Sequence, residues 1–110
     1  MELDKLTIGE ARQLAQMFNG KTSDDSAWKI GTAYLIRTVT MIDTGRLVAV
    51  TEHELVLEDA AWIADTGRFS EALLSYNYNE VEPFPAGRVI VGRGSIIDAV
   101  EINKLPRAKK

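Results

Sequence analysis

The tetrapeptide Asp-Thr-Gly-Arg occurs twice in this chain, at residues 43–46 and 65–68, and each copy interrupts a run of apolar residues. Asp can hold a turn through its own side chain, and Gly adopts positive φ angles without steric cost. We therefore predict a chain reversal at each copy, with the Arg side chain projecting from the exit of the turn. These two reversals divide the middle of the chain into short elements.

The runs around these copies are rich in β-branched and aromatic residues, as strands are. Residues 34–42, 47–50 and 55–57 predict an antiparallel meander, with reversals at 43–45 and 51–54. Further strands are expected at 80–82, where Pro83 stops the ladder, and at 89–91 and 96–102. Asp59 is a candidate cap for a short helical turn over 60–62, and residues 69–74 predict another short helix.

The N-terminal region carries the clearest helix signal. Thr7 and Glu10 form a capping box, and Gly20 supplies a stop. Apolar residues recur at helical spacing between them, which predicts an amphipathic helix over about 7–19. The fold class is therefore α+β: this helix, a polar connector over 20–28, and a β-rich core over 33–102. That core is expected to be a five- to six-stranded antiparallel curled sheet or barrel-like domain with one or two short helices.

Composition sets the class of protein. The chain has 110 residues, enough for one domain, and its 45% hydrophobic and 26% charged residues are typical of a globular protein. No apolar stretch is long enough to span a bilayer, and the first residues lack the pattern of a secretory signal. The absence of cysteine excludes disulfides and thiolate chemistry. We therefore expect a protein of the cytoplasm without a membrane partner.

Charge is distributed unevenly along the chain. Residues 103–110 form a basic tail with four positive charges and no acid, and removing these four charges from the formal net charge of −3 leaves −7 for residues 1–102. A general nucleic-acid binder is expected to have a basic body. The sequence therefore disfavours nucleic acid as a partner except through the tail, which we expect to be a solvated terminus.

Asp-Thr-Gly is also the signature of aspartic proteases, which makes a protease the remote alternative. Such enzymes pair two carboxylates from two lobes or two subunits. Only 22 residues separate Asp43 from Asp65, too few for two lobes, and both glycines precede a bulky Arg. We therefore name no catalytic residue and favour a binding protein over an enzyme.

Arginine beside glycine is the recurring feature with chemical meaning. A guanidinium presents a planar fork suited to phosphate, and neighbouring glycines can direct backbone N–H groups toward the same anion. Gly92-Arg93-Gly94 is the strongest candidate for ligand binding, followed by Arg46 and Arg68. Tyr76 and Tyr78, beside Asn77 and Asn79, are the aromatic candidates, and at least one of them should be exposed.

Other residues favour structural interpretations. His53 is the only histidine and lies between two glutamates, where we expect an exposed turn. No metal-ligand spacing surrounds it, so neither a metal site nor a cofactor is predicted. Arg37, inside a strand, requires a partner. Trp62, between alanines and Ile63, is expected in the core.

The stretches 34–40, 54–64 and 80–85, about half of the chain, resemble a family of small proteins encoded by tailed bacteriophages and prophages. The resemblance implies a phage origin and action in the bacterial host cytoplasm or in the virion. The leading hypothesis is a homo-oligomeric, non-enzymatic protein that sequesters an anionic small molecule, such as a nucleotide signal, as a counter-defence factor. A virion structural or assembly protein, bound to phage or host proteins, is the alternative.

Overall fold

A computed structural model describes residues 26–110, which form a small antiparallel curled sheet of six strands with one α-helix. The elements, in chain order, are β1 (Ala33–Thr38), β2 (Ile42–Val50), β3 (Glu54–Asp65), α1 (Phe69–Ser75), β4 (Glu80–Pro83), β5 (Val89–Gly92), a 3-10 turn (Arg93–Ser95) and β6 (Ile96–Glu101). The amphipathic helix that the sequence predicts over 7–19 lies outside the described residues. Within the described part of the chain, no helix is long and apolar enough to cross a membrane.

β3 organises the sheet because it is twelve residues long and pairs with three other strands. β2 pairs along one side of it, while β5 pairs with its first half and β4 with its second half. β1 joins β2 to β6. The 3-10 turn then connects β5 directly to β6, so the sheet curls until its two edges are joined through the chain. The predicted meander of β1, β2 and β3 is confirmed.

The predicted reversal at residues 43–46 is wrong. This copy of Asp-Thr-Gly-Arg lies inside β2, and the chain turns earlier, at residues 39–41, where the N–H of Thr38 donates to the Met41 carbonyl oxygen at 2.8 Å. The Thr38 hydroxyl also donates to that oxygen and accepts from the Met41 N–H, at 3.0 Å each. Thr44 pairs with Leu35 on β1 and with Ala61 on β3. The motif is therefore strand because it has ladder partners on both sides.

The predicted helical turn at Asp59 is also wrong, because β3 runs through it. The register shifts so that three steps along β3, from Glu58 to Ala61, match two steps along β2, from Arg46 to Thr44. Asp59 adopts a left-handed φ of 51° at this point. This is a β-bulge, which bends the strand and re-aims its side chains. Trp62, predicted in the core, is 39% exposed beyond the bulge.

The second copy of Asp-Thr-Gly-Arg is a turn, as predicted. The Asp65 carboxylate accepts a 2.8 Å hydrogen bond from the Gly67 N–H, and Gly67 has a φ of 69°. α1 begins directly afterwards, which confirms the predicted helix over 69–74. It ends at Tyr76, which adopts the left-handed conformation.

Two apolar clusters lie on opposite faces of β1, because Leu35 points away from Tyr34 and Ile36. The first cluster fills the inside of the curl, and its buried members are Tyr34, Ile36, Leu47, Leu55, Leu57, Ala60 and Val91. The second lies beneath α1, and its buried members are Leu35, Ala61, Ile63, Ala72, Tyr78, Val81 and Ile102. The short helix is therefore held by its own core rather than by the curl.

Candidate functional site

Arg93 lies in the 3-10 turn that joins the two edge strands. Its backbone N–H donates to the His53 carbonyl oxygen at 2.9 Å, and its Nη1 donates to the Thr51 carbonyl oxygen at 2.7 Å. The turn is closed by the Ser95 hydroxyl, which donates to the Gly92 carbonyl oxygen at 2.7 Å. One nitrogen of the guanidinium is thereby fixed by backbone, and no other described residue accepts a hydrogen bond from its remaining N–H groups, which could bind a ligand.

The reversal between β2 and β3 supplies the other wall of this site. The Thr51 hydroxyl accepts hydrogen bonds from the backbone N–H groups of His53, at 3.3 Å, and Glu54, at 3.0 Å. The His53 side chain is 87% exposed, which confirms the predicted exposed turn. We define the Arg93 site as Thr51, His53, Gly92, Arg93 and Gly94. The predicted reversal at 51–54 and the predicted Gly92-Arg93-Gly94 element therefore meet in space.

Arg46 belongs to a different surface, where it is paired with acids. Its Nη1 lies 2.8 Å from the Asp59 carboxylate and its Nη2 lies 3.2 Å from that of Glu58. The hydrogen bond that Arg46 donates to Asp59 is the main cause that raises the pKa of Arg46 above its usual value. Arg88 reaches the same Glu58 through Nε at 3.2 Å. Both arginines therefore neutralise neighbouring carboxylates on the surface.

An open depression of about 280 Å³ adjoins these ion pairs. Arg107, from the predicted tail, lies in its wall and donates to the carbonyl oxygens of Ala60, at 2.7 Å, and Phe84, at 3.1 Å. The residues that line the depression are Glu58, Asp59, Phe84, Pro85, Ala86, Gly87, Arg88 and Arg107. Sequence reasoning did not single out Arg107, because nothing local marks a tail arginine as one that docks on the body.

The remaining predicted ligand residues do not join the Arg93 site. Arg68 is exposed at the start of α1, and its carbonyl oxygen accepts from the Ala72 N–H. Tyr78 is buried in the second cluster, and the hydroxyl of half-buried Tyr76 accepts from the Asn103 N–H at 3.0 Å. The expectation that one of these tyrosines would be exposed is wrong. Apolar contacts, which alternation with Asn does not reveal, bury their rings.

The two aspartates of the repeated motif are not brought together as a cross-strand pair. Asp43 pairs in register with Ile36 and Trp62, whereas Asp65 pairs with Glu80. Burial raises the pKa of Asp43 above its ordinary value. Among residues 26–110, no three His, Asp or Glu side chains are arranged to hold a metal ion.

Two strand edges stay open in the described part of the chain. Among residues 26–110, β5 pairs only with β3 and β6 pairs only with β1, so no described strand covers the other edge of either one. Large apolar side chains lie on these strands with much of their surface exposed: Ile90 is 64% exposed, Ile97 65% and Val100 40%. Open edges with apolar side chains are prone to pair with another chain.

No protein-family model and no curated protein matches this sequence. Among solved structures, the SmAP1 heptamer of P. aerophilum is similar with a TM-score of 0.50 at 23% identity, over 78% of this chain and 95% of that chain. A heptameric archaeal Sm protein, presented with implications for the eukaryotic snRNP core, gives a TM-score of 0.49 at 20% identity, over 77% of this chain and 100% of that chain. The likeness to SmAP1 shows that the curled sheet has an Sm-like fold.

Proposed function

We propose that this chain is a non-enzymatic, homo-oligomeric binding protein that holds the phosphate of a nucleotide at the Arg93 site. The observation that carries the proposal is the Arg93 guanidinium, whose Nη1 is fixed on the Thr51 carbonyl oxygen, while the Arg93 backbone N–H is held by the His53 carbonyl oxygen. A guanidinium that is already held in one orientation loses little side-chain entropy when it binds an anion.

The surroundings of Arg93 also favour a phosphate ligand over a structural role for this arginine. No carboxylate of the described residues forms an ion pair with it, in contrast to Arg46 and Arg88. Gly92 and Gly94 leave open space, since a Cβ at either position would meet no atom of the described residues within 4 Å. An anion can therefore approach the backbone of the turn closely.

The homo-oligomer is supported by the open edges of β5 and β6. Pairing the β5 edge of one copy with the β6 edge of the next would satisfy both ladders and cover Ile90, Ile97 and Val100. Such an interface is heterologous and closes into a ring when the rotation between copies permits it. SmAP1 of P. aerophilum, which has this fold, is a heptamer. We propose a ring for this chain also.

The setting that we propose is the one implied by the resemblance to phage-encoded proteins: sequestration of a nucleotide signal in an infected bacterium. A ring would present one Arg93 site per copy and so bind several ligands or several successive nucleotides of one strand. The shared chemistry is a nucleotide phosphate, free or within single-stranded RNA. The binding experiment separates these two sources.

The binding test measures the melting temperature of the full chain with a panel of mononucleotides, cyclic nucleotides and short single-stranded RNAs. We expect at least one phosphate ligand to raise it, by an amount that grows with ligand concentration. Arg93→Ala should abolish the rise in melting temperature. Arg68→Ala should retain it, because Arg68 is exposed and lies at the start of α1 rather than at the Arg93 site. If no phosphate ligand stabilises the wild-type chain, the proposed ligand class is wrong.

The oligomer test uses sedimentation velocity. Ile97→Lys places a charge on the open β6 edge and should shift the population toward monomers. Leu74→Lys is the matched control, since Leu74 is 84% exposed on α1 and away from both edges. A wild-type chain that is monomeric across the concentration range would contradict the ring, as would an Ile97→Lys variant that assembles like wild type.

A further inference from the structure

The basic segment over 103–110 is docked along the body of the protein, unlike the solvated terminus that its charge pattern predicts. The Lys110 N–H donates to the Val81 carbonyl oxygen, and the Val81 N–H donates to the Lys110 carbonyl oxygen, both at 2.9 Å. This reciprocal pair is the hydrogen-bonding pattern of antiparallel strands. The segment therefore covers the outer edge of β4, opposite the edge that pairs with β3.

Three side chains fix the segment in register. Leu105 packs against the second apolar cluster. Arg107 donates to the carbonyl oxygens of Ala60 and Phe84, at 2.7 and 3.1 Å. Lys110 donates through Nζ to the side-chain oxygen of Asn77. The spacing Leu-x-Arg-x-x-Lys thus matches an apolar socket, a pair of carbonyl acceptors and an amide acceptor. We name this surface the β4 groove.

These contacts have the form in which a sheet edge recognises a peptide in trans, with main-chain pairing for affinity and side-chain sockets for specificity. Every partner of the segment belongs to the folded body, so the same contacts are open to an identical segment from another copy. The docking is also shallow, because Arg107 and Lys110 are exposed and only Leu105 and Pro106 are half-buried. Such an element opens at low free-energy cost.

The linkage to the body permits an exchange. Ile102 is buried, and its N–H donates to the Ala33 carbonyl oxygen at 2.9 Å, which fixes the start of the segment. Asn103 and Lys104 are both exposed and lie between this fixed point and Leu105; the Asn103 N–H donates to the Tyr76 hydroxyl at 3.0 Å, so Lys104 is the hinge. Rotation in a short exposed linker is the usual hinge through which copies exchange an identical element.

We propose that the β4 groove is a peptide-docking site and that in the oligomer its occupant is the 103–110 segment of a second copy. The inference rests on the homo-oligomer of the proposed function but not on its ligand. In a single chain the 103–110 segment occupies the β4 groove of that same chain. Between copies, exchange ties neighbours together through contacts that the β5 and β6 edges do not provide.

The chain has no native cysteine, so single cysteines can report the exchange. Extended by one residue, the Val81–Lys110 register brings Glu82 opposite Lys109, within the Cα separation that a disulfide spans. Glu82→Cys and Lys109→Cys are made as separate full-length variants, mixed and oxidised, and the mixed disulfide is quantified by mass. Val39→Cys, 71% exposed in the β1–β2 turn, replaces Glu82→Cys in the control mixture.

We expect about tenfold more mixed disulfide from the Glu82→Cys mixture than from the control, because docking raises the effective concentration of the two thiols. Adding Arg107→Ala to the Lys109→Cys chain should remove the excess. The double variant Glu82→Cys/Lys109→Cys, diluted to favour single chains, should close an internal disulfide, which checks the register.

Equal yields from the two mixtures overturn the exchange. Sedimentation of the reduced variants separates this failure from that of the proposed function. If the reduced variants are oligomers but the two mixtures give equal yields of mixed disulfide, the segment docks only on its own chain and the proposed ring is unaffected. If the reduced variants are monomers and the yields of mixed disulfide are equal, both the exchange of the segment and the homo-oligomer are wrong.

Discussion

Gly45 on β2 lies so close to Leu57 on β3 that a Cβ at position 45 would be 2.8 Å from the Leu57 Cβ. The same Cβ would lie 3.3 Å from that of Ala60, on the other side of the Asp59 bulge. The bulge presses β3 against β2, and only a residue without a side chain fits beneath it. This glycine is therefore required for packing, although it resembles a turn glycine in the sequence.

Gly45→Ala should destabilise the protein by about 1–3 kcal/mol, the usual cost of overpacking a core, because the added methyl meets the backbone-proximal Cβ atoms of two residues. Gly94→Ala is the matched control: its Cβ would meet no atom of residues 26–110 within 4 Å, so its free energy of unfolding should stay within about 0.5 kcal/mol of wild type. Urea denaturation measures both. Equal stability of the two variants would show that the strands separate at no cost.

The Arg37–Asp98 pair across β1 and β6 should make the fold sensitive to acid. Hydrogen bonding from Arg37 holds the pKa of Asp98 below its ordinary value, and the Arg37 guanidinium also stacks 4.7 Å from the centre of the Phe69 ring. A lowered folded pKa contributes stability above the unfolded pKa, about 3.9, and that stability is lost as the pH falls through the folded pKa.

Asp98→Asn should therefore be less stable than wild type at neutral pH, and the gap in melting temperature should narrow as the pH falls from the unfolded pKa through the folded pKa of Asp98. Arg37→Lys keeps the positive charge but loses one of the two hydrogen bonds to Asp98. Its melting temperature at neutral pH should therefore lie between those of Asp98→Asn and wild type. A gap that is independent of pH would rule out the ion pair as its cause.

Asp43 should behave in the opposite way. Burial raises its pKa in the folded state, so the protonated form is favoured there, and the associated stability is lost as the pH rises through the folded pKa. Asp43→Asn removes the charge and should raise the melting temperature at pH 7, with little difference from wild type below the unfolded pKa. Asp65→Asn, the same substitution in the exposed copy, should give no gain; a similar gain there would contradict the burial argument.

Within residues 26–110, the buried hydroxyls of Thr44 and Tyr78 have no hydrogen-bond partner, so removing either hydroxyl should cost little stability. Tyr78→Phe should be neutral or stabilising by up to about 1 kcal/mol, because an unsatisfied buried group is removed. Tyr34→Phe is the contrasting variant: its hydroxyl accepts from the Lys29 N–H at 2.9 Å, so it should lose about 1 kcal/mol. Thermal unfolding compares them, and a larger loss for Tyr78→Phe would reverse the assignment.

Much of the sheet could be predicted from local signals. The strands β4, β5 and β6, the helix α1 and the reversal at 51–54 coincide with runs of β-branched residues or with turn residues. The need of Arg37 for a partner could also be predicted, because a charge inside a strand requires one, but its identity as Asp98 depends on which strands pair. At the candidate site, the local pattern predicts the Gly92-Arg93-Gly94 element. The contact of Arg93 with Thr51 could not be predicted, because it joins residues 42 positions apart in the chain.

The repeated tetrapeptide separates the two sources of information. The sequence by itself determined that residues 43–46 and 65–68 would be places where Asp and Gly permit an unusual backbone, and at 65–68 this local preference was sufficient for a turn. Only the tertiary structure decided that residues 43–46 are strand, because β1 and β3 satisfy their backbone hydrogen bonds from both sides and the Asp59 bulge uses the space left by Gly45. Identical local propensities therefore gave two structures, since ladder pairing with distant strands outweighs the preference of four residues for a turn.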